Sequence, residues 1–388
     1  MLTFGVEEEF VLLDRGRLSP GNKAATVRRA LFAAGFEASV VHREFFQSQL
    51  EYASPVFTDL SAAAAHLYAF RSALSAAAEA NQVQAAGVGT PFDLDGAPAV
   101  SEGARYDDVA AKVRGLTAEH QINGLHVHVG IPSRADGVAA LNGVRRWLPV
   151  LLAISANSPF WRGADTGFAS WRAIHSRRWT TAGCPPLFAG ADDYDHRVRA
   201  LTGIGATADA GTIAWCARLS ERLPTLEFRV ADAQLDAGTS LLLAALCRAL
   251  VATALRVPSP CTASRREQPA PELLDAALWH AARDGLTSKL VHPVRGGLVP
   301  AAQALGALLE ETHAELAGAG DLAYVGGLLR DTLAHGSGAE RQRQAVAAGG
   351  ITALGQLFRL EMTRSGGSCQ APDTLETTST ASAHPGGP

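Results

Sequence analysis

The chain has 388 residues, 47% of them apolar and 19% charged, with a formal net charge of −4. That length allows one large domain or two ordinary ones with a sizeable core, and the mildly acidic balance gives no global pull toward nucleic acid or an anionic membrane. The five cysteines are odd in number and form no C-x-x-C pair, which argues against a disulfide framework or a zinc knuckle. Arginine supplies nearly all the basic charge, the lysines being Lys23, Lys112 and Lys289.

Taken in chain order, residues 2–14 read as a strand that starts directly, with no basic-then-apolar leader. A helix is predicted over 22–34 with Gly35 as its stop, then strands over 37–42 and 47–53, the second ended by Pro55. Asp59 should cap a long alanine-rich helix reaching about Gln84. A short apolar piece over 85–89 and a Gly/Pro/Asp turn region to about Glu102 follow. Residues 122–131 read as a strand, and a helical region from Asp136 should be kinked or split by Pro149. Residues 157–190 mix Asn, Ser, Pro, Gly, Trp and Arg without period, the signature of a functional loop. A helix is expected over 192–208, strands over 211–217 and 225–231, and helices over 237–256, 270–284, 299–317, 321–334 and 339–363. Strands gather in the first 230 residues and helices dominate the rest, so the expected class is α+β. One domain over 1–363 is expected, with 364–388 a disordered Ser/Thr/Gly/Pro-rich tail. No apolar stretch reaches the ~20 residues of a membrane span without polar interruption, so a cytoplasmic location is expected, with small-molecule partners and neither nucleic acid nor membrane.

Chemistry enters through four separated runs that place charged or imidazole side chains at alternate positions of strand-like sequence. They are Gly5-Val6-Glu7-Glu8-Glu9-Phe10, Gln49-Leu50-Glu51-Tyr52, Gly124-Leu125-His126-Val127-His128-Val129 and Thr225-Leu226-Glu227-Phe228-Arg229-Val230. Residues two apart on a strand share a face, so Glu7 pairs with Glu9, His126 with His128, and Glu227 with Arg229. Glu8 falls on the other face and reads as structural or solvated. Each run alone has an ordinary explanation: solvated acids on an edge strand, a satisfied histidine pair, a salt bridge. Together on one sheet they would form a pocket of carboxylates, imidazoles and a guanidinium, suited to hard cations and, through them, to phosphate. Glu7, Glu9, Glu51, His126, His128 and Glu227 are the candidate metal ligands. Arg229, with Glu227, is the candidate for following charge on a transferred phosphoryl group.

The irregular segment adds Arg162, Arg172, Arg177 and Arg178, whose forks match carboxylate or phosphate oxygens; Arg162 and Arg172 are the further cofactor-binding candidates. Its aromatic residues read as packing. Cys184, in Gly183-Cys184-Pro185-Pro186, has no base beside it in sequence and reads poorly as a nucleophile. Three familiar motifs are absent: the phosphate-binding G-x-x-x-x-G-K-[ST], a strand-linked G-x-G-x-x-G and the G-x-S-x-G elbow.

Gly5 to Phe10, Gly124 to Gly130, Ser155 to Gly167 and Pro224 to Asp232, with Gly89-Thr90-Pro91-Phe92 and Arg105-Tyr106, resemble the bacterial type-2 glutamate–cysteine ligases, a group of carboxylate–amine ligases. The resemblance runs from residue 4 to about 300 and more loosely to 363. It implies a catalytic domain like that of glutamine synthetase: a curved, mainly antiparallel sheet with the site on its concave face and helices packed behind. It implies ATP with Mg²⁺, or Mn²⁺ in its place. The acids matching Glu7, Glu9, Glu51 and Glu227, with the histidine matching His126, would hold the metals, and Arg229 would face the phosphates. The implied reaction forms an amide through an acyl phosphate, with L-glutamate and L-cysteine as acid and amine. A different amine, a metal-dependent amidohydrolase using the same histidines and acids, or a nucleotide-binding protein without turnover are the alternatives. The sequence leaves the metal count open, and a homo-oligomer is allowed.

Overall fold

A computed structural model describes residues 1–256 and 268–364. The strands are β1 (Phe4–Asp14), β2 (Val41–Arg43), β3 (Gln49–Ala53), β4 (Val83–Ala86), β5 (Gly124–Gly130), β6 (Phe160–Trp161), β7 (Ala164–Asp165), β8 (Ala217–Leu219), β9 (Thr225–Asp232), β10 (Lys289–Val291) and β11 (Leu298–Pro300). The helices begin with α1 (Ala24–Ala33), α2 (Leu60–Ala80), α3 (Ala104–Val113), α4 (Arg134–Val144), α5 (Leu148–Ser155) and α6 (Trp171–Ser176). They continue with α7 (Ala191–Gly203), α8 (Ala237–Arg256), α9 (Pro271–Asp284), α10 (Ala301–Ala319), α11 (Leu322–His335) and α12 (Gly338–Thr363).

One sheet organises the molecule. Its order is β2-β3-β1-β5-β9-β8, every neighbouring pair is antiparallel, and β4 joins the far half of β1 beyond the reach of β5. The N-terminal strand is therefore central. Its sequence explains why: Phe4, Val6, Glu8 and Phe10 are buried in alternation with half-buried Gly5, Glu7 and Glu9. The apolar face meets α2, α4 and α8 in the main core. Glu8 points into that core. Its carboxylate accepts from Arg71 of α2 (Nη2 at 2.6 Å, Nε at 3.0 Å) and from Ser240 of α8. Arg71 also donates to the carbonyls of Gln234 and Leu235. A buried ion pair needs such complete partnering to offset desolvation. The class is α+β, with helices on the outer face of a curved, mainly antiparallel sheet.

Several expected boundaries shift. Residues 37–40 form a turn rather than a strand, with Val40 N–H bonded to the Glu37 carbonyl, and only Val41–Arg43 pairs. The strand expected over 211–217 begins as a 3₁₀ turn, because Asp209 and Thr212 cap each other, and pairing waits until Ala217. Helix α3 and the β10–β11 hairpin were not foreseen, and the hairpin delays the next helix to Ala301. Pro149 does divide its helical region: α4 ends at Val144, a 3₁₀ turn follows, and α5 starts with that proline in its first turn. The polar interruptions expected of long apolar stretches include Arg145 and Arg146 within 134–155 and Arg248 within 237–256. Residues 134–155 and 237–256 qualify by length and composition, yet most of each is buried within this fold, as an all-round apolar core helix should be. The expected tail lies outside the described residues, apart from Arg364.

Candidate active site

The sheet face opposite the core helices lines a cavity of about 830 Å³. Register decides what enters it. Glu9 lies opposite Glu51, Glu7 opposite His126, and His128 opposite Glu227, which in turn faces Arg218. A bulge between Leu125 and Val127 locally shifts the β5–β9 register beside His126. The alternation thus carries Glu7, Glu9, Glu51, His126, His128, Glu227 and Arg229 into one space.

The histidines and acids are in direct polar contact. Glu7 Oε2 lies 3.0 Å from His126 Nδ1, and its Oε1 lies 3.2 Å from His128 Nε2. His126 Nε2 faces Glu9 Oε1 at 3.8 Å. A proton on His126 Nδ1 serves Glu7 and leaves the Nε2 lone pair free for a cation. Burial, aided by Arg229, pushes the His126 pKa down, which keeps the ring neutral as a ligand must be. Burial alone would raise Glu7, but the bonds to His126 and His128 outweigh it and hold the carboxyl far below its usual range. Glu227 behaves likewise: Arg229 and Arg218 overcome burial and keep it ionised. Arg218 grips it through Nε (2.8 Å) and Nη2 (3.3 Å), while Arg229 Nη1 pairs with Oε1.

The other end of the row is different. Glu44, in the turn just after β2, joins Glu9 and Glu51, and oxygens of all three lie within 4.8 Å of one another. Burial raises all three carboxyls, Glu51 most clearly; the Glu44 charge adds to the rise of Glu9 and Glu51, and that of Glu7 to the rise of Glu44. Two further sets meet the same spacing: Glu7, Glu51 and His126, and Glu7, His128 and Glu227. Oxygen-rich, like-charged and half-buried, this donor set fits hard divalent cations, which would relieve the repulsion that the protein leaves in place.

Sequence reasoning missed Glu44 and Arg218. Glu44 sits in a connecting turn, where no period advertises it. Arg218 lies on a three-residue strand, and its Nη1 is spent on the carbonyls of Gly211 and Ile213 (2.6 and 2.8 Å). The arginines of the irregular segment divide. Arg172 is buried and lines the cavity, but its fork is committed to the carbonyls of Arg229 (3.2 Å) and Val230 (3.4 Å). It passes over Gly124, where an added Cβ would lie 2.5 Å from Nη2. The same Gly124 N–H donates to Glu9 Oε2 at 2.6 Å. Arg162 is not brought to the cavity: it sits in the β6–β7 turn and pairs with Glu119 at 2.9 Å. Glu119 also holds Arg178, which does line the cavity. Cys184 is buried outside the lining, and burial pushes its thiol up to about 12, so no thiolate is available there.

Helix α3 lies along the mouth with no buried residue of its own. It offers Arg105, Tyr106, Val109 and Lys112 to the cavity, and Lys112 is the one lysine of three that reaches it. The chain leading into α3 and the first turn of the helix are tied to the acid row: Ser101 Oγ donates to the Glu44 carbonyl at 2.6 Å, and Tyr106 Oη to that of Arg43 at 3.0 Å.

The family model described as glutamate–cysteine ligase family 2 (GCS2) matches residues 3–359. A provisionally named glutamate–cysteine ligase 2-2 of Saccharopolyspora erythraea is 41% identical over 356 residues, covering 90% of this chain and 89% of that one. A provisionally named glutamate–cysteine ligase 2 of Streptomyces coelicolor is 38% identical over 350 residues, covering 90% and 96%. Among solved structures, the glutamate–cysteine ligase of Francisella tularensis in complex with AMP superposes with a TM-score of 0.66 at 12% identity, covering 93% of this chain and 89% of that one. A bifunctional glutathione synthetase of Pasteurella multocida gives 0.63 at 16% identity, covering 93% and 51%. At such identities the two structures speak for the fold.

Proposed function

This chain belongs to glutamate–cysteine ligase family 2, and on that premise we propose that it is an ATP-dependent ligase joining a carboxylate to an amine. The observation that carries the reading is the convergence of Glu7, Glu9, Glu44, Glu51 and Glu227 with His126, His128 and Arg229 on one cavity wall. Such a concentration of acids repels phosphate unless cations intervene, and cations held there present a surface that phosphate favours.

Divalent cations, Mg²⁺ or Mn²⁺, would be held by those carboxylates and His126, with His128 beside Glu7 and Glu227, and would neutralise the β- and γ-phosphates of ATP. The rest follows from the chain's own groups. Arg229, partly exposed and braced by Glu227, would donate to the phosphoryl oxygens as charge shifts onto them. A substrate carboxylate oxygen bonds to the γ-phosphorus as the bond to ADP breaks. The amine nitrogen then bonds to the acyl carbon, phosphate leaves with the carbonyl–oxygen bond electrons, and the amine loses a proton. No protein nucleophile is required, which agrees with the buried, protonated Cys184. The relatives' names support L-glutamate as acid and L-cysteine as amine, and the γ-carboxyl is our assignment for the reacting group.

The test is ADP release measured across pairs of amino acids and amines with Mg²⁺. Release that requires acid, amine and metal together, and stops with chelator, is the expected result. Amide cleavage without nucleotide would replace the ligase with a metal-dependent amidohydrolase.

A further inference from the structure

The most deeply buried acid near the cavity is one that neither holds a cation nor faces the phosphates. Asp232, the last residue of β9, is wholly buried. Its Oδ2 accepts from the Asn157 N–H (2.9 Å) and Ser158 Oγ (2.6 Å), and its Oδ1 from Ser170 Oγ (2.8 Å). The guanidinium of Arg172 stands off at 3.9 Å. The two serines hand the contact onward. Ser158 Oγ accepts from the Arg172 N–H (3.0 Å), and Ser170 Oγ caps α6 by accepting from the Ala173 N–H (3.1 Å). Room for the carboxylate is reserved opposite: a Cβ on Gly89 would lie 2.7 Å from it. Asn157 is pinned as well, donating to the carbonyls of Gly87 (2.9 Å) and Ala233 (2.6 Å).

One carboxylate thus ties both ends of the 157–170 loop to the strand that bears Glu227 and Arg229. It also starts the helix whose Arg172 reaches back under that strand. A buried charge whose nearest donors are neutral is a poor way to gain stability alone, since an uncharged hub would avoid the desolvation cost. The geometry is better explained by what it aims. Arg172 fixes the carbonyls of Arg229 and Val230, and therefore where the Arg229 side chain starts.

We propose that Asp232 is a positioning residue for the reaction: through Ser158 and Ser170 it holds Arg172 behind Arg229, so that the phosphate-facing guanidinium is aimed. This rests on the ligase reading above. The test is a double-mutant cycle of Asp232→Asn and Arg172→Lys, read in kcat and KM for ADP release and in Mn²⁺ binding by electron paramagnetic resonance. Each single change should lower kcat about 10- to 100-fold with Mn²⁺ binding unchanged, because a misplacement near 1 Å costs rate on that scale. The double variant should be scarcely slower than the worse single one. Additive losses, or kcat unchanged in Asp232→Asn, would overturn the proposal. Should Asp232→Asn fail to fold, Ser158→Ala keeps the carboxylate and breaks the relay, and the same kcat loss is expected; wild-type kcat overturns the proposal. Should the wild type release no ADP with any pair, the ligase reading fails on its own. The clamp is then judged by hydrogen exchange. Asp232→Asn should speed exchange at the amide of Asn157, or Ser158→Ala in its place at that of Arg172, and spare β5, and unchanged exchange there refutes it.

Discussion

Glu227 shows how much one side chain can be asked to do. It is almost fully buried, touches two guanidiniums and lies across from His128. Glu227→Gln keeps the shape and removes the charge that braces Arg229 and completes the Glu7–His128–Glu227 donor set. ADP release should fall on the order of 100-fold or more, and Mn²⁺ affinity should fall with it, both measurable on protein whose circular dichroism is native. Cys184 predicts the opposite. Its thiol is buried, protonated and outside the cavity lining, so Cys184→Ala should leave turnover unchanged, and thiol alkylating reagents should inhibit it no less than the wild type. At this scale the sequence was informative where a period existed. Glu7, Glu9, His126, His128, Glu227 and Arg229 could be assigned to one face because each alternates with an apolar neighbour inside a strand. Glu44 and Arg218 could not, one being in a turn and the other on a strand too short to show alternation. Arg162 illustrates the converse: residue type suggested phosphate, but the turn that carries it aims it at Glu119 instead.

Among the elements, β5 is the keystone, since it bridges the strand bearing Glu7 and Glu9 to the one bearing Glu227 and Arg229. Its first residue has no room for a side chain. Gly124→Ala would drive a methyl group into Arg172 and disturb the N–H that anchors Glu9. Overpacking of this kind costs about 1–3 kcal/mol. The expected outcome is a lowered melting temperature together with a kcat loss, checked by calorimetry and ADP release on the same preparation. Short and irregular elements were the ones that sequence left unread. Helix α3 has a clear apolar stripe yet buries nothing, so neither core-forming residues nor strong breakers mark it. The β10–β11 hairpin pairs only three residues on each side, and its pairing is decided by contacts made elsewhere.

For the molecule as a whole, acid response follows from buried imidazoles. Burial pushes His120 down to about 3 and His175 down to about 4, each assisted by nearby arginine charge. An unfolded histidine titrates near 6.5, so the unfolded chain binds protons that the folded one refuses. Stability from these groups is fully present above about 6.5 and is lost as the pH falls toward 3 to 4. His120 accepts the Trp179 indole N–H at 3.1 Å, and His120→Gln can keep that bond without titrating. The wild type should therefore lose melting temperature relative to His120→Gln as the pH drops from about 6.5 to 3. Curves that stay parallel across that window would show that the ring titrates alike in the folded and unfolded chain, against the depressed value. The overall class, α+β with strands early and helices late, was legible because it depends on summed pattern over many residues. Which strands neighbour which was not, since pairing between residues more than a hundred apart leaves no local trace.

That long-range pairing has a consequence for how the protein is made. The strand at the very start of the chain sits in the middle of the sheet, and its neighbour β5 gains its second partner only when β9, some hundred residues later, has been synthesised. On the ribosome, Glu7 and Glu9 must wait, with β5 exposing an unpaired edge, until residues 225–232 clear the exit tunnel. Nascent chains arrested just short of that point should be captured by chaperones and lack the donor set that Glu227 completes with Glu7 and His128, whereas those released a few dozen residues beyond it should acquire it.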